Sequence, residues 1–319
     1  MSLLRIRVAR IEALTPAIRR LHLVASNGAP LPGFDAGAHI GVHVPLSPRP
    51  PRRAYSLVNA DAGAACVDHY EIAVLREAAG SGGSQWMHAC VPGDEFDVDP
   101  PRNDFPLATN AQRHLLIAGG IGITPILSMA RELTRAGRAF TLHYAARDAA
   151  SMAYRDEVAA LPDATCWFDN GDPARGMPLA DTIGAPEPGT HLYVCGPTGL
   201  IEATLAVARR LGWRDDALHS ERFAAAVPSG SDAPFEVRLA TSGRVLNVPA
   251  GASILDTLIE AGLDPLYDCR RGDCGVCTVR LLDGEPDHRD ICLTDEEHAG
   301  GSFCPCVSRA KSAGLVLDL

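Results

Sequence analysis

The chain has 319 residues, more than a single hydrophobic core comfortably serves, so two or three domains are expected. Hydrophobic residues make up 46% and charged residues 21%, with a mean hydropathy of +0.02, which excludes a disordered chain. No stretch approaches the roughly 18 consecutive apolar residues of a membrane span, and a formal charge of -10 excludes nucleic acid as the main partner, because phosphate binding needs a basic surface.

The N-terminal stretch "MSLLRIRVARIEAL" alternates apolar and charged residues and has neither the apolar run nor the cleavage site of a signal peptide, so a cytoplasmic protein is expected. Ten cysteines in a long chain without an export signal are then expected to be reduced or metal-bound rather than disulfide-paired. From residue 3 to 100 the sequence reads as short strands between Gly, Pro and Asp clusters: "LLRIRVARIEAL", "RRLHLVAS", "AHIGVHVPL", "RAYSLVNA" and "HYEIAVLRE". Such regular short strands predict a small antiparallel β-barrel over 1–105.

At residue 114 the pattern changes to "HLLIAGGIGITPILSMARELTRAG": an apolar strand, a glycine turn and an amphipathic helix, followed by the strand "AFTLHYAAR". The later strand "GTHLYVCGP" runs into the helical "TGLIEATLAVARRLG", so the segment 106–224 is predicted to be an open parallel α/β domain. Gly119, Gly120 and Gly122 join strand to helix, where backbone N-H groups meet phosphates at a helix N-terminus. Cys195, Gly196 and Pro197 repeat that placement at the carboxyl edge of the sheet, where open α/β domains bind ligands. Residues 225–234 are small, Pro- and Gly-bearing and aperiodic, which predicts a linker. Beyond it, 235–319 carries the paired strands "FEVRLATSG" and "RVLNVPA" and the helix "SILDTLIEAG" capped by Ser253.

"DCRRGDCGVC", 268–277, then spaces its cysteines as Cys269-x4-Cys274-x2-Cys277, with Cys304 and Cys306 further on in "FCPCVSRA". A zinc site would pair C-x2-4-C with a second pair of similar form, whereas this spacing plus a distant Cys is that of a plant-type [2Fe-2S] cluster. Spacing alone leaves Cys304 and Cys306 both open as the fourth ligand. Cys66, Cys90, Cys166 and Cys292 lie in apolar or strand-like runs and read as small buried hydrophobes, and the histidines show no ligand-like pairing. Residues 233–319 hold 8 basic against 14 acidic residues, so most of the negative charge lies on the cysteine-bearing third, a candidate docking face for a basic partner patch.

Barrel, glycine loop, Cys-Gly-Pro turn and C-terminal cysteine loop occur in an order that resembles the phthalate dioxygenase reductase family of the ferredoxin-NADP reductase superfamily, over essentially the whole chain. The resemblance implies FMN, NADH and a [2Fe-2S] cluster on a flavin-binding barrel, a nucleotide domain and a β-grasp ferredoxin domain, acting as a monomeric reductase for a Rieske-type oxygenase of aromatic compounds. Within "RRAYSL" it makes Arg53, Ala54, Tyr55 and Ser56 the flavin signature, with Arg53 on the phosphate; Ile72, Ala73, Val74, Gly82, Gly83 and Ser84 complete the flavin set. Ser81 stands where relatives commonly have Arg, which puts more of the phosphate charge on Arg53. Thr124, Cys195 and Phe223 are implied to position the nicotinamide and flavin rings, and Arg147 to meet the adenosine half. No basic cluster for a 2'-phosphate surrounds "AARDAASMAYRDE", which favours NADH over NADPH. "CVSRAKSAGLVLDL" resembles the family's C-terminal tail, which makes Cys306 the fourth ligand and Cys304 its neighbour. The same electron chain serving a P450 or another monooxygenase, and an iron-sulfur flavoprotein used as a redox sensor, are the alternatives.

Overall fold

In the computed structural model the described residues are 3–45, 52–60, 63–78, 82–223, 232–267, 270, 272, 275–290 and 292–319. Two compact units divide the chain, Met1–Glu221 and Arg222–Leu319.

Alternation in the first hundred residues does produce strands: in β1 (Leu4–Thr15), Ile6 and Val8 are buried while Arg5 and Arg7 are exposed. With β2 (Ile18–Ala25), β3 (His39–His43), β4 (Arg52–Ser56), β5 (Tyr70–Leu75) and β6 (Glu95–Val98) it forms a six-stranded antiparallel sheet in the order β4-β3-β6-β1-β2-β5. The sheet curls until its edges meet, for Val58 N-H, just past β4, donates to the carbonyl of Glu71 in β5 at 2.9 Å. A helix, α1 (Gly83–Ala89), interrupts this otherwise strand-built segment. Seven residues are too few to display helical periodicity; the buried Met87 and the edge-on packing of Trp86 against Phe96, ring centroids 5.5 Å apart, hold it.

The rest of the first unit alternates: β7 (Arg113–Gly119), α2 (Ile123–Arg135), β8 (Ala139–Ala146), α3 (Arg155–Ala159), β9 (Ala164–Phe168), α4 (Leu179–Ile183), β10 (Thr190–Cys195), α5 (Thr198–Arg210) and β11 (Leu218–Glu221). All five strands are parallel, in the order β9-β8-β7-β10-β11. The chain leaves β7 in one direction for β8 and β9 and returns to its other side for β10 and β11, so the strand order reverses between β7 and β10. Ile117, Leu192, Val194 and Ile201 pack one face, with Trp213 closing the edge.

The second unit is a mixed sheet, β13-β12-β16-β14-β15, built from β12 (Phe235–Leu239), β13 (Val245–Val248), β14 (Val279–Asp283), β15 (Ser302–Phe303) and β16 (Gly314–Leu317). β12 pairs antiparallel with β13 and parallel with β16, and α6 (Ile254–Glu260) lays Ile254 and Leu258 on the core of Val237, Leu239, Phe303 and Leu317, the expected β-grasp arrangement. Ser253 caps α6 as expected, its Oγ accepting the Asp256 N-H at 3.0 Å. A capping box on Thr294 and Glu297 starts the short α7 (Asp295–Ala299).

Candidate cofactor and electron-transfer sites

β4 is an edge strand, paired on one side only, and it carries the Arg-Ala-Tyr-Ser tetrapeptide. Ser56 is buried and its Oγ has no hydrogen-bond partner among the described residues, an orphaned polar group that a ligand would satisfy. Burial pushes the Tyr55 phenol up, against the opposing charge of Arg53. Arg53 folds against the start of α1 so closely that a Cβ on Gly83 would sit 3.0 Å from its Cγ and Nε. Gly82, at φ +92°, takes the left-handed turn into that helix, and the Ser84 hydroxyl accepts the Glu77 N-H at 3.0 Å. Guanidinium, glycine backbone and hydroxyl are thus gathered in one place, a donor set suited to a phosphate. Ile72, Ala73 and Val74 lie at the opposite edge on β5 with their side chains buried, so only backbone groups not paired with β2 can serve a ligand there.

The reversal between β7 and β10 places the two glycine loops side by side. A Cβ on Gly122 would lie 2.3 Å from the Cys195 carbonyl oxygen, one on Gly119 2.8 Å from Pro197 Cδ, and one on Gly196 3.0 Å from Gly119 Cα. Three of these glycines therefore let the loops pack backbone to backbone. Gly120 differs: at φ +53° it faces open space, and its carbonyl accepts the Tyr144 hydroxyl at 3.0 Å. Thr124 is buried, its Oγ1 donating to the Ile121 carbonyl at 3.1 Å, and Cys195 is buried at the last position of β10. Arg147 is exposed just past β8, with its carbonyl accepting the Asn170 N-H at 2.8 Å. Phe223 is half-buried after β11 and falls in the second unit.

In the second unit Cys269 and Cys274 lie outside the described residues. Cys277 and Cys306 are both buried, and sulfur hydrogen bonds from Cys304 and then from Cys306 hold the Cys277 thiol well below its usual range, against the cost of burial. The same contacts, to Cys277 and Cys292, push the Cys304 thiol up. Cys277, Cys304 and Cys306 are buried together in one cluster with Leu255 and Val307, a gathering of sulfurs from which thiolate ligands for iron can be drawn. Gly272 at φ +80° leaves no room for a side chain: a Cβ would sit 2.7 Å from Val307 Cγ2 and 2.9 Å from Asp290 Cα. Gly275 at φ +68° turns its carbonyl to the Thr278 N-H at 3.0 Å and to its hydroxyl at 2.6 Å.

Two family models match this chain. The 2Fe-2S iron-sulfur cluster binding domain covers 237–311, and the N-terminal domain of dimethylamine monooxygenase subunit DmmA-like proteins covers 97–218. Vanillate O-demethylase oxidoreductase from Pseudomonas sp. (strain HR199 / DSM 7063) is 42% identical over 99% of this chain and 100% of its own length. The heme-dependent oxidative N-demethylase beta subunit of Ectopseudomonas mendocina (strain ymp) is 41% identical over 100% and 99%. The solved structure of a phthalate dioxygenase reductase, described as a modular structure for electron transfer from pyridine nucleotides to [2Fe-2S], superposes with a TM-score of 0.76 at 40% identity, covering 100% of this chain and 98% of that one. The chain belongs to the phthalate dioxygenase reductase family.

As a member of that family it is an electron-transfer oxidoreductase of the NAD(H), flavin and iron-sulfur kind, and its C-terminal unit is a [2Fe-2S] domain. The tail that signalled the family has a physical explanation. Arg309 is buried, and its guanidinium donates to the carbonyls of Ala252, Ala233 and Pro249, tying α6 and the approach to β12 to the segment that carries Cys306. Ser308 Oγ donates to the fully buried Asp290 carboxylate at 3.1 Å. Among the described residues no helix is long and apolar enough to cross a membrane.

Several contacts escaped the sequence reading. The histidines do pair: His288 and His298 stack 3.7 Å apart about Asp290, and His191 Nδ1 lies 2.9 Å from His219 Nε2. His288, Asp290 and His298 come within metal-ligand reach of one another, but rings stacked at 21° cannot both aim a lone pair at one ion, and the 3.0 Å His298–Asp290 contact already accounts for them. Cys66 is exposed, not a buried hydrophobe, because it sits on a two-residue surface strand, Cys66–Val67, paired only with Leu31–Pro32. Cys292 is only half-buried and stands 3.6 Å from Cys304, so it belongs to the cluster's surroundings rather than to a strand core. Residues far apart in sequence make each of these contacts, and no local spacing announces them.

Proposed function

We propose that this chain passes electrons from NADH through FMN to its [2Fe-2S] cluster and on to a Rieske-type oxygenase component acting on an aromatic compound. The observation that carries this reading is the buried Cys277–Cys306 sulfur pair on the same chain as an edge-strand flavin motif and a nucleotide switch point. NADH supplies a hydride and an iron-sulfur cluster takes one electron, and FMN when bound is the group able to exchange both ways. The chain's own part is placement. Arg53, with Gly82, Gly83 and Ser84, holds the FMN phosphate; Tyr55, Ser56 and the Ile72–Val74 backbone hold the ring; and Phe223 stacks on it. Gly120, Gly196 and Pro197 receive the dinucleotide, with Thr124 and Cys195 beside the nicotinamide and Arg147 at the adenosine. No general acid or base is required, since hydride transfer between two bound rings depends on positioning.

Cys269, Cys274, Cys277 and Cys306 ligate the cluster, and Cys304 is their buried neighbour. NADH is favoured over NADPH because Asp148 stands next to Arg147, its carboxyl held low by the Ser151 N-H, and a carboxylate there repels a 2'-phosphate. Leu266 (80% exposed), Tyr267 (43%) and Val276 (41%) flank the cysteine loop and offer the partner an apolar contact on a unit of net negative charge, with the Arg270 guanidinium 5.2 Å over the Tyr267 ring. The functional domains are 1–105 for FMN, 106–224 for NADH and 235–319 for the cluster; of the 225–234 segment read as a linker, 225–231 lie outside the described residues. The protein works as a monomer in the cytoplasm, where thiols stay reduced.

Anaerobic addition of NADH should bleach the flavin and then the cluster bands, the extracted flavin should have the mass of FMN, and turnover should follow on adding the matching oxygenase. Bound FMN and cluster with no NADH-driven reduction would sink the reading. A haem-protein acceptor is the second reading, favoured by the 41% identity to the beta subunit of a heme-dependent demethylase. Faster turnover with a haem partner than with any Rieske oxygenase would establish it.

A further inference from the structure

Within the first unit, the barrel and the parallel sheet are joined by a buried charged cluster that the proposed electron path does not use. Glu71, at the start of β5, is buried, and its Oε1 accepts the Tyr154 hydroxyl at 3.1 Å. Arg20 on β2 and Arg131 on α2 each bring an Nη1 to 3.6 Å from the same oxygen. Both guanidiniums also pair with Glu157 on α3, Arg20 at 2.9 Å and Arg131 in a shorter contact, and Arg20 reaches Glu12 on β1 at 2.7 Å. The two arginines lie over the Tyr154 ring at 5.4 and 5.9 Å, and Tyr154 itself holds a left-handed backbone at φ +54°.

The anchored points sit next to the candidate cofactor residues. Arg131 Nη1 donates to the Val58 carbonyl at 3.0 Å, two residues past Ser56, and Arg135 reaches the Ala60 carbonyl. Glu132 accepts the Ala36 N-H at 3.0 Å. Glu71 immediately precedes Ile72. At its other end α2 carries Thr124 in its first turn, seven residues or about two turns from Arg131, roughly 10 Å along the axis. One rigid helix therefore links the flavin strands to the nicotinamide loop.

Ion pairs are a poor way to hold two layers together if stability is the only demand, since apolar packing of the same volume does as well or better. What a buried carboxylate held by one directed donor, the Tyr154 hydroxyl, and flanked by two guanidinium charges at 3.6 Å imposes is a narrow geometry, and the non-glycine residue at positive φ adds backbone strain that the cluster must outweigh. We infer that Tyr154, Glu71, Arg131 and Arg20 are positioning residues that set the register of α2, and with it the nicotinamide loop, on the flavin-binding barrel. This rests on the proposed NADH-to-FMN step, in which a hydride leaves nicotinamide C4 for the flavin ring while NADH becomes NAD+ and the flavin takes up a further proton from solvent.

The test uses the full chain with its cofactors and three variants: Tyr154→Phe, which removes only one hydroxyl, Glu71→Gln, and Arg131→Lys, which keeps the charge but not the forked geometry. Flavin content, the limiting rate of flavin reduction at saturating NADH, the NADH concentration for half that rate, the isotope effect with C4-deuterated NADH, and amide hydrogen exchange of residues 58–60 and 120–124 are measured. Tyr154→Phe and Glu71→Gln should lower the limiting rate about ten-fold, as a sub-ångström to ångström misplacement does. The half-saturating NADH concentration and flavin content should hold, the isotope effect should rise, and exchange at both segments should quicken; Arg131→Lys should fall between them and wild type. Limiting rates within two-fold of wild type in all soluble variants, or rate losses that merely track lost flavin or lost folded protein, would overturn the proposal. If NADH does not reduce the flavin of the wild-type protein, the functional reading itself fails and takes this one with it; wild-type rates in the variants remove only the positioning role.

Discussion

The nucleotide loops and the cluster loop are both rich in glycine, and the residue serves opposite ends in them. At Gly122 and Gly196 the missing side chain lets two backbones touch, and at Gly119 it makes room for the Leu200 and Pro197 side chains, so the glycines lock one loop onto another. At Gly272 and Gly275 the positive φ bends a single loop, and at Gly272 the lack of room against Asp290 and Val307 adds a second requirement. Glycine content thus reports close approach or sharp bending, and only the surrounding atoms tell which. What remains for a ligand also differs. The first region leaves Gly120 facing open space, while in the second a Cβ on Gly275 would lie 3.7 Å from the Cys292 sulfur.

The comparison breaks most visibly at the ligands. Cys306→Ser should abolish the cluster's visible bands and its paramagnetic signal on reduction, while Cys304→Ser should retain both; the reverse outcome would exchange the two roles. Next come the crowded glycines. Gly122→Ala drives a Cβ to 2.3 Å from a backbone oxygen and should cost about 1–3 kcal/mol, lowering the melting temperature and NADH-driven flavin reduction while leaving iron content unchanged. Gly272→Ala should show the mirror image, with cluster content reduced and flavin reduction by NADH intact. A smaller effect is expected at Gly120, where the space is open and alanine should cost only about 1 kcal/mol of backbone strain, read from the melting temperature. If Gly120→Ala proves as damaging as Gly122→Ala, packing does not distinguish the loops.

A pH-dependent effect separates the N-terminal edge of the parallel sheet from its working edge. Burial pushes His114 and His219 down to about 4, so both stay neutral when folded, while the unfolded chain binds protons near pH 6.5. Stability should therefore be full above pH 6.5 and decline as the pH falls towards 4. Melting curves across that window should flatten in His114→Gln, and an unchanged slope would assign the acid sensitivity elsewhere.

Much of the architecture was legible in advance because it follows local rules. Alternation at Ile6 and Val8 marks a strand with one buried face, the amphipathic run after "AGGIGITP" marks α2, and Ser253 marks the start of α6. The α1 helix was hidden by its brevity. Cysteine spacing named the cluster class because a metal cluster constrains ligands close in sequence, whereas the ambiguity between Cys304 and Cys306 could not be lifted by spacing, since both reach the site after a long detour of chain.

By itself the sequence determined the order of elements, the cysteine loop and the two glycine turns, all of which depend on neighbours within a few residues. Only the tertiary structure decided that the glycine turns pack on each other, that Cys292 stands beside Cys304, that the buried Ser56 hydroxyl finds no partner among the described residues, and that Tyr154 closes over Glu71. Those contacts join residues distant along the chain, and their energies depend on burial and direction, which exist only once the sheets have formed.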